Sequence, residues 1–192
     1  MDVYYFDRQL PRSALASWIG PCELYAQFAV GEPCSAPKSA LTVKFGTRGF
    51  EIAKRYDFIS AIEPGPIIAS SKFRALVSDL CPASAQWFQI DVLAGETRVA
   101  EHGFHALNVV HKASIIDLKK SMYESTRFGI SFFTEVVLKN RSEFPPPYLF
   151  REECYPSFLL ANNVFKSAAR RAKLNVKFFR TVEDMGWIKS TN

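Results

Sequence analysis

The sequence predicts an α+β fold: a mixed, largely antiparallel sheet with a few short helices, built from two related strand–helix–strand units. Three observations predict it. Short apolar runs rich in Val, Ile, Leu and Phe recur between breaks that contain Gly and Pro. Two other stretches carry the spacing of an amphipathic helix behind a capping side chain. Those two stretches and the strands around them align at an offset of 92 residues, placing Ile68-Ala69-Ser70-Ser71-Lys72-Phe73-Arg74 over Leu160-Ala161-Asn162-Asn163-Val164-Phe165-Lys166 and Trp87 over Phe179. The whole of 1–192 is expected to form a single domain, since 48% apolar residues suffice for a sizeable core.

The elements follow in order. Val3–Phe6 is an apolar strand closed by Pro11. Residues 13–19 predict a short helix stopped by Gly20-Pro21, and 31–40 are a loop by composition. Leu41–Phe45 and 50–53 predict a hairpin about Gly46-Thr47-Arg48-Gly49. Residues 57–59 lead into a turn at 63–66. Ile67–Ser70 is a strand whose terminal serine caps a helix with Phe73, Leu76, Val77 and Leu80 on one stripe, ended by Pro82. Further strands are expected at 86–93, 104–110, 114–118, 134–138 and 158–161. A proline-rich loop covers 140–147, a helix 162–173 and a last strand 176–180, before a loose tail beyond Trp187.

The charge is uneven. Residues 1–100 balance ten Lys and Arg against ten Asp and Glu, whereas 101–192 carry fourteen against nine, which accounts for the net +5. The excess concentrates in Lys166, Arg170, Arg171, Lys173, Lys177 and Arg180, with no acid between them. On a helix Lys166, Arg170 and Lys173 share a face. This field suits an acidic protein, a nucleic acid or an anionic surface, and it is also what a solvated helix face looks like. Lys166, Arg170, Lys173, Lys177 and Arg180 are the candidate partner-binding residues.

Signals for catalysis, cofactor or metal are lacking. There is no G-x-S-x-G elbow, no P-loop and no G-x-G-x-x-G after a strand. Cys22, Cys34, Cys81 and Cys154 form no CxxC pair, so neither a zinc site nor a disulfide framework is expected. A cysteine–histidine pair stays open, because such partners meet only in the fold. His105 and His111 fall on one face of an extended segment but about 20 Å apart, with His102 opposed, too far for one ion. The carboxylate pairs Glu152-Glu153 and Glu183-Asp184 lie in polar stretches where nothing raises a pKa by burial. Phe178 and Phe179 beside the cations offer modest support for nucleic-acid stacking, but no RRM or helix-turn-helix pattern accompanies them. No apolar run reaches the roughly 18 residues of a membrane span. The acidic opening MDVYYFDRQLPRS is unlike a signal peptide, so the expected compartment is the cytoplasm.

A resemblance adds to this reading. The order Leu107-Asn108-Val109-Val110, Asp117-Leu118-Lys119-Lys120-Ser121, Val136-Val137-Leu138, Tyr148-Leu149-Phe150-Arg151 and Tyr155-Pro156-Ser157, then the strand–helix–strand of 158–180, resembles one bacterial family. So does Ala69-Ser70-Ser71-Lys72-Phe73-Arg74 upstream. It is the immunity-protein family of polymorphic toxin systems, typified by a myxobacterial kin-discrimination immunity protein. The resemblance spans about 55–187, with 1–54 a weakly matched N-terminal part. It implies a non-enzymatic cytoplasmic protein without cofactor or metal. Such a protein binds a cognate toxin or effector, encoded by the neighbouring gene, and blocks its action. The alternative is a small basic nucleic-acid-binding or regulatory domain. The basic character departs from inhibitors of basic nucleases, which are often acidic; the toxin then presents an acidic surface, or the neutral first half makes the contact.

The cysteine spacing carries a simple expectation. Melting temperatures measured with and without reductant agree, and a large fall on reduction would show a structural disulfide.

Overall fold

Ile67, Ile68 and Ala69 are apolar without interruption, which suits a strand covered on both faces, and Ser70 then turns the chain into a helix. The computed structural model, which describes residues 2–6, 16–20, 22–37, 40–59, 66–127, 129–140 and 146–181, bears this out. β5 (Ile67–Ser70) feeds α3 (Ser71–Leu80), and the Ser70 hydroxyl accepts from the Phe73 N–H at 3.1 Å while donating to Asp57. The second unit repeats the device. β14 (Leu159–Asn162) feeds α4 (Asn163–Arg171), where the Asn162 carbonyl oxygen accepts from the Phe165 N–H at 2.9 Å and its amide donates to the Pro146 carbonyl. Both caps satisfy a backbone donor that the first helical turn leaves open.

The sheets extend the equivalence. With β4 (Phe58–Ile59), β6 (Ala85–Phe88) and β9 (Phe104–Val109), the first unit has strand order β4-β5-β9-β6, all antiparallel. With β13 (Leu149–Glu152), β15 (Phe178–Thr181) and β1 (Val3–Phe6), the second has β13-β14-β1-β15, also antiparallel. β1 therefore holds the place of β9, although it comes from the opposite end of the chain. Leu107 pairs with Trp87 and Phe6 with Phe178, so the equivalent of Trp87 is Phe178 rather than Phe179.

Three cores lie around these two sheets. The middle one joins Phe6, Phe58, Ala69, Leu107, Leu149 and Ala161 to Phe73 and Phe165, whose ring centroids are 5.8 Å apart where α3 meets α4. Alternate residues Ile68, Phe104 and Ala106 face another core, closed by a third sheet of order β2-β3-β7-β8 (Ala16–Ile19, Leu41–Phe45, Ile90–Ala94, Thr97–Val99), by α1 (Cys22–Val30) and by α2 (Thr47–Ala53). Leu160, Phe150 and Val3 face the third core, under the hairpin of β11 (Met122–Thr126) and β12 (Gly129–Glu135). Among the described strands, two pairings are parallel, β3 with β7 and the short β10 (Lys112–Ala113) with β13, and the rest are antiparallel. No helix among the described residues is long and apolar enough to cross a membrane.

Several expectations are corrected. Thr47–Ala53 is helical, so the hairpin about Gly46–Gly49 does not form. A helix puts Phe50 and Ala53 on one face, where both are buried, and β3 takes its partners from β2 and β7 instead. Ala16–Ile19 is a strand rather than part of a helix, with Ala16 and Trp18 turned inward in alternation; 13–15 fall outside the described residues. The single strand expected at 86–93 breaks at exposed Gln89 into β6 and β7, which serve different sheets. Residues 114–118 form only an isolated bridge, Ile116 to Leu138, and the strand expected at 134–138 lies earlier, as β12. α1, β8, β11 and β13 have no counterpart in the sequence reading, and the tail beyond Trp187 lies outside the described residues.

Phe73 and Phe165 are fully buried. Truncating either to Ala is expected to cost about 3–5 kcal/mol in urea unfolding, and an unmoved midpoint for both would overturn the central role of this contact.

A candidate cationic interaction surface

Burial of Phe165, Ala168 and Ala169 fixes which side of α4 meets solvent. The helical period then leaves Lys166 and Arg170 on the other side, with Arg171 beside them. Lys166 is half-buried, its ammonium 3.3 Å from the centroid of the Tyr4 ring on β1. Burial, with Arg170 one turn on, pulls this ammonium below the usual lysine range against the opposing pull of Asp2. Arg170 and Arg171 sit in the last turn, where cations favour the carbonyl end of the helix dipole.

The helix closes on Lys173. Its φ of 53° is left-handed, its N–H donates to the Arg170 carbonyl and the Leu174 N–H to the Ala169 carbonyl. Lys173 and Lys177 are exposed, and Lys177 immediately precedes β15. Arg180 lies within β15, its side chain outside the described residues. Among the described residues, no ion pair engages Lys166, Arg170 or Lys173. Phe178 is half-buried against Phe6 and Tyr4, so it offers no open face for a base; the side chain of Phe179 lies outside the described residues.

The polar groups suited to catalysis are bound up internally. His102 precedes β9 rather than opposing His105 within it, and the two border one cleft of about 190 Å³ with Ser71 and Glu101. His111 lies beyond the far end of β9, its Nδ1 3.5 Å from the Ser84 hydroxyl. His102 Nδ1 accepts from the Phe104 N–H, so its Nε2 donates to the Ile90 carbonyl. The Ser71 hydroxyl lies 3.1 Å from His105 Nε2, a spacing that suits a nucleophile and its base. The polarity is the reverse. An Arg74 N–H points at His105 Nδ1 at 3.3 Å, which makes Nδ1 the acceptor and Nε2 the donor. The Ser71 proton goes to the Gly103 carbonyl at 3.1 Å. In this arrangement the imidazole donates a hydrogen bond to the serine rather than accepting one from it. Burial lowers both imidazoles below the usual histidine range; for His105 the Arg74 and His102 charges add to it.

The surroundings of Cys34, Cys81 and Cys154 disfavour the thiolate. Burial pushes Cys34 and Cys81 up, and pushes Cys154, beside Glu152, to about 12. The described cysteines Cys34, Cys81 and Cys154 are free, and no cluster of three His, Cys, Asp or Glu among the described residues has metal-site geometry.

One carboxylate overturns its expectation. Glu152 is fully buried at the end of β13, its two oxygens accepting from the Ile115 N–H at 3.1 Å and the Cys154 thiol at 3.3 Å. The neighbouring Arg151, 4% exposed, has four carbonyl partners. Neither was found from sequence, because two adjacent charges read locally as solvated loop. Glu183-Asp184 lies outside the described residues. Sequence reasoning also missed the Arg74, Trp87 and His105 group, although the 92-residue offset already lays Arg74 over Lys166.

The chain matches no protein-family model and no curated protein.

Glu152 sets a pH dependence. Burial holds its folded carboxyl above the ordinary 4.5, against the Ile115 N–H, the Cys154 groups and Lys139. As pH rises through 4.5 the unfolded chain releases this proton before the folded chain does, so this group's contribution to stability falls. A Glu152→Gln variant lacks that decline. The stability difference, variant minus wild type, is expected to grow in urea unfolding from pH 4.5 towards neutrality. A difference independent of pH would refute the assignment.

Proposed function

We propose that this chain is a cytoplasmic immunity protein that binds a cognate bacterial toxin or effector and blocks it by covering a functional surface. The observation that carries the reading is the cationic surface at the C-terminal end of α4, where Arg170 and, just past the helix, Lys173 are exposed without an ion-pair partner among the described residues. Such a face suits a partner whose contact surface is acidic. Two further points support it. The serine, histidine and cysteine groups described above are committed to internal hydrogen bonds or raised by burial, which favours inhibition by occupation over inhibition by chemistry. The order of motifs along 55–187 resembles the immunity family. Nucleic acid is the less favoured partner, since Phe178 is packed against Phe6 and Tyr4.

The test is protection. Co-expressed with the product of the neighbouring gene, the wild-type chain restores growth and co-purifies with that product. Lys166→Glu, Arg170→Glu and Lys173→Glu together slow association by about tenfold, more at low salt than at high. Neutral replacements of His102 and His111 leave protection intact wherever folding survives. A folded chain that neither binds the product nor restores growth would sink this function.

A further inference from the structure

The two units place a cation over an aromatic at equivalent points. Arg74 of α3 corresponds to Lys166 of α4, four residues after the respective caps, Ser70 and Asn162. His105 and Tyr4 correspond as the partners of Ala69 and Ala161, and Trp87 and Phe178 as the partners of Leu107 and Phe6. In each unit the two rings meet edge to face at 6.3 Å, Trp87 with His105 and Tyr4 with Phe178. The cation caps this pair differently. Lys166 covers Tyr4 on the inner strand, whereas the Arg74 guanidinium lies 5.9 Å from the Trp87 ring on the edge strand β6.

We propose that Arg74, held over Trp87, is a second contact for the acidic partner protein and receives one of its carboxylates. The inference rests on the binding function argued above and extends its footprint from α4 to α3. Arg74 is exposed, and one N–H is spent on His105. No ion pair among the described residues claims the rest of the fork. A planar guanidinium takes a carboxylate through two parallel hydrogen bonds. Its place over Trp87 and its bond to His105 already restrict the side chain, so less freedom is lost on binding. Arginine and tryptophan are also the residue types that most often dominate protein–protein affinity.

One feature favours a protein over a nucleic acid. Trp87 is half-buried with Arg74 over one face and His105 at its edge, which leaves it poorly placed to stack on a base.

The probe is fluorescein-labelled decaglutamate, followed by anisotropy at low salt, with decalysine and oligothymidylate as controls. Wild type binds decaglutamate, Arg74→Gln weakens it about fivefold, and Arg74→Lys, which keeps the charge without the fork, falls between. Arg74 is exposed, and unchanged melting curves confirm that each variant is folded. Arg170→Glu is the reference for the α4 face. Loss of binding in Arg170→Glu with none in Arg74→Gln overturns this inference and leaves the function of the α4 face standing. Tighter binding of oligothymidylate, lost in Arg74→Gln, overturns it in favour of nucleic acid. Absence of decaglutamate binding overturns it as well, and protection by co-expression still decides the function separately.

Discussion

The Arg151 guanidinium is the tie on which the arrangement of the three cores depends. It is almost wholly buried and donates to four backbone carbonyls: Phe28 and Ala29 at the end of α1, Val109 at the end of β9, and Pro156 in the turn after β13. Two of them belong to α1 and one each to β9 and the turn after β13, so one side chain joins three parts of the fold. The α1 carbonyls are among those a helix end leaves without partners, and a cation there also meets the negative end of the dipole. Gly31 completes the joint. Its φ is +67°, and a Cβ would lie 2.4 Å from the Val109 oxygen and 2.5 Å from Arg151 Cδ, so only glycine lets α1 end this close. Burial lowers the Arg151 pKa to about 10, which still leaves it charged at neutral pH. A lysine could not span the same carbonyls, because it lacks the planar fork, and each buried carbonyl left alone costs about 1–3 kcal/mol.

With the layers held this way, both unit sheets are covered on both faces, and almost every group of chemical interest is consumed internally. Asp57 illustrates this: it binds Ser70 of the first unit through one carboxylate oxygen and the Asn175 N–H beyond α4 through the other. The fold leaves to solvent the outward sides of helices, sheet edges and most of the β11–β12 hairpin. On the outward sides of α3 and α4 the cations of the two units stand at matching positions.

The units themselves were legible in the sequence because their determinants are local. A cap at Ser70 or Asn162 and apolar residues three and four apart lie within one helical turn of each other. β1 was legible for the same reason, as a short apolar run. The joints were not. Arg151 finds Phe28 across 123 positions, and no local pattern records that distance. Buried Glu152 beside it makes Leu149–Glu152 look half polar, although all four residues are buried. Residues 50–53 misled for another reason, since a run so short fits alternation and helical spacing equally, and the burial of Phe50 with Ala53 decides between them only in three dimensions. Of the cations in 166–177, Lys166, Arg170 and Arg171 lie on α4 as the period predicts, whereas the helix expected to reach Lys173 ends at Arg171 and leaves Lys173 and Lys177 beyond it. Arg74, the counterpart of Lys166, carried no charge run to announce it.

The exchange of β9 for β1 sets an order of assembly. All strands of the first unit lie between Phe58 and Val109, so that unit closes from a continuous stretch of chain. The second unit must bring β1, made long before them, between β14 and β15. During synthesis β1 therefore waits without its own partners while the finished first unit offers the edges of β4 and β6 nearby. Closing so long a loop costs more chain entropy than closing the first unit, so this insertion is the pairing that the topology slows most. A nascent chain released early holds one formed unit and one unpaired strand, the combination most exposed to pairing with another chain.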